Sequence, residues 1–166
     1  MVVVVTVYKT RSKLKFPFIA WLIMIFQGFK PWDEKAYSHL AVEFTSITGY
    51  SKVIDSTSKG VQDKLSQKFF KKYSIVDYRK LELNCDIIEF LKWFEQIEDR
   101  PYDYHQIFGL ALKVLGFISF NTYGKNYKAL TCNEVILSML ENFTSYTFGD
   151  PDNYDLLMTW KTVKEL

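Results

Sequence analysis

The stretch VVVVTVY at residues 2–8 restricts the fold more than any other part of the chain. Every residue in it except Tyr8 is β-branched. Such side chains are stiff in a helix and pack well on a pleated surface. The run reads as a buried strand, so the rest of the chain must supply neighbouring strands and covering layers.

Those neighbours can be found downstream. SHLAVEFT at 38–45 alternates between apolar and polar, 46–49 reads as a turn, and SKVIDST at 51–57 reads as the return strand of a hairpin that Lys59-Gly60 closes. SIVDYRKL at 74–81 reads as a further strand. Helices are expected between the strands and after them. Pro17 starts one through Trp21 and Phe26, which Gly28 and Pro31 end. A short helix is expected over 62–72. Asn84 is expected to cap a helix over 85–98, with Ile87, Ile88, Leu91 and Phe94 on its apolar face. Asp103 and Gln106 have capping-box spacing ahead of a helix through Val114. A polar loop at 121–128 precedes a helix over 132–143, and a last helix is expected over 154–166. No repeat or linker interrupts the pattern. The expected architecture is one α+β domain over residues 1–166, an antiparallel sheet packed against helices.

Composition narrows the function classes. With 21 basic and 19 acidic side chains the net charge is +2, which gives no reason to expect a nucleic-acid partner. One basic cluster is Lys9, Arg11, Lys13 and Lys15; another is Lys64, Lys68, Lys71 and Lys72, interleaved with Phe69, Phe70 and Tyr73. They read as a solvated edge and a solvated helix face in preference to a surface for anionic lipid or phosphate. The chain has two cysteines, two histidines and no CxxC, so neither a structural zinc site nor any other metal or cofactor is expected. No signal peptide is evident, and the longest apolar run, 16–26, is too short to span a bilayer. A cytoplasmic protein is expected, with peripheral membrane contact left open.

The chemistry concentrates at Cys132. Thr131 and Glu134 form a capping-box pattern just before an apolar run, so the helix starts at Thr131 and Cys132 is its first residue. Free backbone N–H groups and the helix dipole favour a thiolate there. A nucleophilic cysteine needs a histidine, and the histidine needs an orienting partner. If the hairpin turns about Ile47, Leu40 faces Ile54 and His39 faces Asp55 on the opposite surface. A carboxylate there would hold the imidazole. A shift of one residue would separate the pair.

Four short motifs stand in order along the chain: YSHLAVEF with His39, KVIDSTSKGV with Asp55, YDY at 102–104, and TCNEVILSML with Cys132 and Glu134. Together they resemble the circularly permuted branch of the NlpC-type papain-like superfamily, which includes lecithin:retinol acyltransferase-like enzymes. The resemblance covers roughly residues 1–145. The order His, acid, Cys is the reverse of ordinary papain, as permutation requires. Asn133 stands where that family often has a small hydroxyl residue, Asp55 where Glu or His is commoner, and the first strand lacks the frequent GD start. The resemblance implies a permuted papain-like fold and a catalytic triad of Cys132, His39 and Asp55 attacking an amide, ester or thioester. Its substrate would be a peptide, a cell-wall component or a lipid-like acyl compound.

Other residues receive plainer readings. Cys85 lies beside Asp86, which raises its pKa, and reads as structural. His105 reads as a surface or packing residue. Tyr102, Tyr104 and the four tryptophans read as core. The rival to an enzyme is an inactive interaction protein on the same fold; a third reading is a membrane-surface protein using the cluster at 68–73.

Overall fold

The computed structural model of the protein describes residues 2–13, 20, 23–25, 30, 33–105, 108–109, 112, 116, 129–147 and 156–166. Most of the helices expected over 17–26 and 103–114, and the loop at 121–128, lie outside them.

Five strands form one antiparallel sheet: β1 Val3–Ser12, β2 His39–Thr45, β3 Ser51–Thr57, β4 Gly60–Leu65 and β5 Tyr73–Leu83, in the spatial order β4-β3-β2-β1-β5. The β-branched run has strand neighbours on both sides, pairing Val5 with Phe44 of β2 and with Leu81 of β5. Its two surfaces differ. Val3, Val5 and Val7 enter the main core, whereas Val4 is 54% exposed. The strand is interior to the sheet, but only the face of Val3, Val5 and Val7 is buried in the main core.

Four helices are described: α1 Ser66–Lys72, α2 Ile87–Ile97, α3 Cys132–Phe143 and α4 Leu156–Glu165. The last three cover the core face of the sheet, where Leu40, Val42, Phe44 and Ile54 meet Phe90, Trp93, Val135, Ile136 and Trp160. Each phenylalanine or tryptophan here removes a large apolar area from water, and its loss would cost about 3–5 kcal/mol. No described helix is long and apolar enough to cross a membrane.

Two helix starts depart from expectation. Residues 60–65 extend the sheet as β4 and leave a helix of only 66–72. Gly60, at φ +87°, turns the chain back, so Val61 comes opposite Ser56 and Asp63 opposite Ile54. Val61 is then fully buried, and Lys52 and Lys64 pair across the strands with Asp63 and Asp55. The backbone of Val61 also bonds outward, its N–H to Arg100 O and its carbonyl to Asp99 N–H, both at 2.9 Å. A Cβ on Gly60 would lie 2.6 Å from Arg100 O.

The cap of α2 is Asp86 instead of Asn84. Its carboxylate accepts from Ile88 N–H and Glu89 N–H, while Glu89 accepts from Asp86 N–H. A carboxylate and a reciprocal Glu satisfy more free donors than an Asn two residues earlier would. The buried stripe is Phe90, Trp93, Phe94 and Ile97, and Ile88 is 59% exposed.

On the other sheet face, α1 carries the chain from β4 at one edge to β5 at the opposite edge. It lays Phe69 over Ala41 and Val53, forming a small second cluster with Phe70 and Tyr73 against it.

Candidate functional site

The hairpin register places His39 and Asp55 together by an unexpected route. The pairs are Val42↔Ile54, Glu43↔Val53, Phe44↔Lys52 and Thr45↔Ser51, two positions away from the register expected from the sequence. An even shift preserves which side chains share a face. His39 and Asp55 therefore still point to the same surface, as diagonal neighbours instead of directly opposed residues. The β2–β3 ladder stops at Val42↔Ile54, although β2 begins at His39 and β3 runs on to Thr57. The site forms at this unpaired end.

His39 Nε2 lies 3.7 Å from Asp55 Oδ2, an ion-pair distance and longer than a hydrogen bond. Neither atom has a hydrogen-bond partner among the described residues. The imidazole stacks on Tyr73, with ring centroids 5.1 Å apart and planes 23° apart, and Tyr73 in turn stacks on Phe69 at 4.6 Å. These rings fix the plane of His39 and exclude water from one side of it.

Cys132 reaches the same place from the core face. Thr131 caps α3 in the expected box: its N–H donates to Glu134 Oε2 at 2.5 Å, and Glu134 N–H donates to Thr131 Oγ1 at 3.5 Å. The Thr131 hydroxyl also lies 2.6 Å from Asn133 Oδ1 and 2.7 Å from Glu134 Oε2. Thr131, Cys132 and Asn133 are all buried. A second tie holds the segment that leads into the helix: the Ser56 hydroxyl, next to Asp55, donates to Leu130 O at 2.5 Å.

Electrostatics link the three groups. Burial alone would lower the pKa of His39. The negative charges of Cys132 and Asp55 outweigh it and raise the imidazole from 6.5 to about 9. Burial pushes the Asp55 carboxyl up, but His39 and Lys64 pull it below its ordinary value. Burial, Asp55 and Cys132 raise Tyr73 to about 12. Tyr102 is pushed well above 10, first by burial and then by Cys132. The other cysteine behaves differently: burial, then Glu89 and Asp86, push the Cys85 thiol up.

A cleft of about 260 Å³ opens onto His39, with Ser38, Ser56, Tyr73, Tyr102 and Tyr104 in its walls. Tyr102 and Tyr104, expected in the core, line this cleft, with Tyr104 47% exposed. His105 is exposed. Trp93 and Trp160 are buried as expected; Trp21 and Trp32 lie outside the described residues.

Lys64 is the neighbour that sequence reasoning missed. Its Nζ lies 2.6 Å from Asp55 Oδ1, closer than His39 lies to the other carboxylate oxygen. It was assigned to a solvated helix face. The signal was the Lys59-Gly60 turn straight after β3: a third strand returning from it puts Gln62 and Lys64 on the face of Asp55. Among the described residues, no cluster of His, Cys, Asp and Glu is placed to hold a metal ion. No family model, no curated protein and no solved structure matches this chain.

Proposed function

We propose that the chain is a thiol hydrolase or acyltransferase acting on an amide, ester or thioester, with a permuted papain-like, NlpC-type arrangement of its catalytic groups. The observation that carries this reading is the position of His39, 3.7 Å from Asp55 and near enough to Cys132 that the two together raise the imidazole to about 9. An imidazole that readily holds a proton at this place can hand that proton to a leaving group, the role a cysteine nucleophile requires of its histidine.

The chemistry follows from these roles. The Cys132 thiolate attacks the carbonyl carbon, forming a C–S bond while the carbonyl oxygen takes up the negative charge. The backbone N–H groups at the start of α3 receive that oxyanion. Collapse of the tetrahedral adduct breaks the bond to the leaving group, which takes the proton of His39. The thioester that remains is released when His39 deprotonates water, or a second nucleophile, for attack on the same carbon. Asp55 holds the imidazole in orientation and balances its charge.

The test is the pH dependence of iodoacetamide labelling, read peptide by peptide in wild type, Cys132→Ser and His39→Ala, with Cys85 as the reference thiol. We expect Cys132 to label about tenfold or more faster than Cys85 at neutral pH, and His39→Ala to remove that advantage. Equal, slow labelling of both thiols, unaffected by His39→Ala, would sink the proposal.

One observation favours the alternative, an inactive interaction protein on the same framework. Lys64 is closer to Asp55 than His39 is, so the carboxylate is partly neutralised by another partner. That reading predicts the second labelling result.

A further inference from the structure

The seven-residue helix α1 and the β3–β4 turn enclose a cavity of about 510 Å³ on the far side of Asp55 from the core. Its volume lies within the usual range for a small-molecule site, roughly 300–1,000 Å³. Lys59 comes from the turn, Lys64 from β4, and Lys68, Lys71 and Lys72 from α1; among the described residues, Asp55 is the one acidic side chain in the wall. Five ammonium groups against one carboxylate leave an excess of four positive charges. Lys64 is ion-paired with Asp55. The other four lysines are exposed and make no ion pair among the described residues.

Like charges gathered around one concave space repel one another, and a bound anion relieves that repulsion. The donors define what kind of anion fits. The wall contains no arginine, so nothing in it matches a planar carboxylate with two parallel hydrogen bonds. Ammonium groups act as point charges and select for charge density. A phosphate monoester carries about −1.5 to −2 at neutral pH and offers three acceptor oxygens. A single carboxylate would neutralise only about a quarter of the excess, whereas a phosphomonoester neutralises up to about half.

We propose that this cavity binds the phosphate group of a phosphomonoester. The group would be held by Lys68, Lys71, Lys72 and Lys59, with Lys64 shared between it and Asp55. The inference does not depend on turnover at Cys132, because none of its ligands is drawn from the proposed attack. Thr57, Ser58 and Tyr73 line both this cavity and the cleft at His39, so a molecule anchored here lies beside Asp55 and close to His39. The phosphate could belong to a soluble metabolite or to a lipid headgroup, and the chemistry of the site is the same for both.

The experiment uses the whole chain and compares wild type with Lys68→Gln/Lys71→Gln, a double variant at exposed positions. Titration with glycerol 3-phosphate reads the soluble source, with acetate as the carboxylate control. Flotation with phosphatidylcholine vesicles, with and without phosphatidic acid, reads the lipid source. Saturable binding of glycerol 3-phosphate, weakened about tenfold or more in the variant and tighter than acetate by a similar factor, supports a soluble phosphomonoester; tenfold corresponds to about 1.4 kcal/mol. Binding only to vesicles containing phosphatidic acid, again lost in the variant, supports a lipid source. The proposal is overturned if neither probe binds, if acetate binds as tightly, or if the variant binds like wild type. Labelling of Cys132 in the same preparations separates the two proposals. His39-dependent labelling without phosphate binding removes only the phosphate site, and phosphate binding with ordinary labelling removes only the enzyme.

Discussion

His39 links the chemistry of the site to the stability of the fold. Its pKa rises from 6.5 to about 9 on folding, so the folded state holds its proton more tightly than the unfolded chain does. The stabilisation is therefore fully present below about pH 6.5 and is lost as the pH climbs through about 9. A shift of this size corresponds to roughly 3–4 kcal/mol. We expect the Tm advantage of wild type over His39→Gln to be largest near pH 6 and to shrink toward pH 10; an advantage that grows with pH would contradict the assignment. At this scale much of the site was legible. The Thr131–Glu134 spacing located Cys132, and period-two alternation put His39 and Asp55 on one face despite a register error of two positions. Lys64 was not legible while it was assigned to a helix, because its contact with Asp55 exists only if residues 60–65 are a strand.

Among the elements, α3 sets the position of the thiol, so its cap can be tested separately from the chemistry. Thr131 is fully buried and its hydroxyl closes the capping box. Thr131→Val keeps the shape and removes that oxygen. It should destabilise the protein by about 1–2 kcal/mol in urea unfolding, and it should slow Cys132 labelling at pH values where the protein remains folded. Helix α2 shows where sequence reading loses resolution. Its existence and rough span followed from its apolar residues, but Asn84 and Asp86 are both good caps. The buried stripe of Phe90, Trp93, Phe94 and Ile97 depends on the bulky rings that tertiary packing selects.

The sheet as a whole was expected to be antiparallel, and it is, but its strand order lay beyond sequence reasoning. Local patterns name strands and hairpins; they do not say that β1 separates β2 from β5, or that α1 carries the chain across a face. Gly60 joins two distant parts of this architecture. It has a positive φ, and an added Cβ would meet Arg100 O at 2.6 Å. Gly60→Ala should therefore cost of order 1–3 kcal/mol, measurable by thermal unfolding, whereas Gly49→Ala, with open space around it, should suffer only from its own positive φ. Equal losses at the two positions would show that the contact with Arg100 does not matter.

The placement of the strands also has a consequence in time. All five strands end by Leu83, and the helix that carries the thiol begins at Cys132. On a ribosome adding about 5–20 residues per second, the sheet is synthesised roughly 2–10 seconds before Cys132. During that interval Val42, Phe44 and Ile54 have no α3 to cover them. The newborn chain passes through a stage in which His39 and Asp55 exist without Cys132 and its greasy face is open to capture by chaperones or by another unfinished copy.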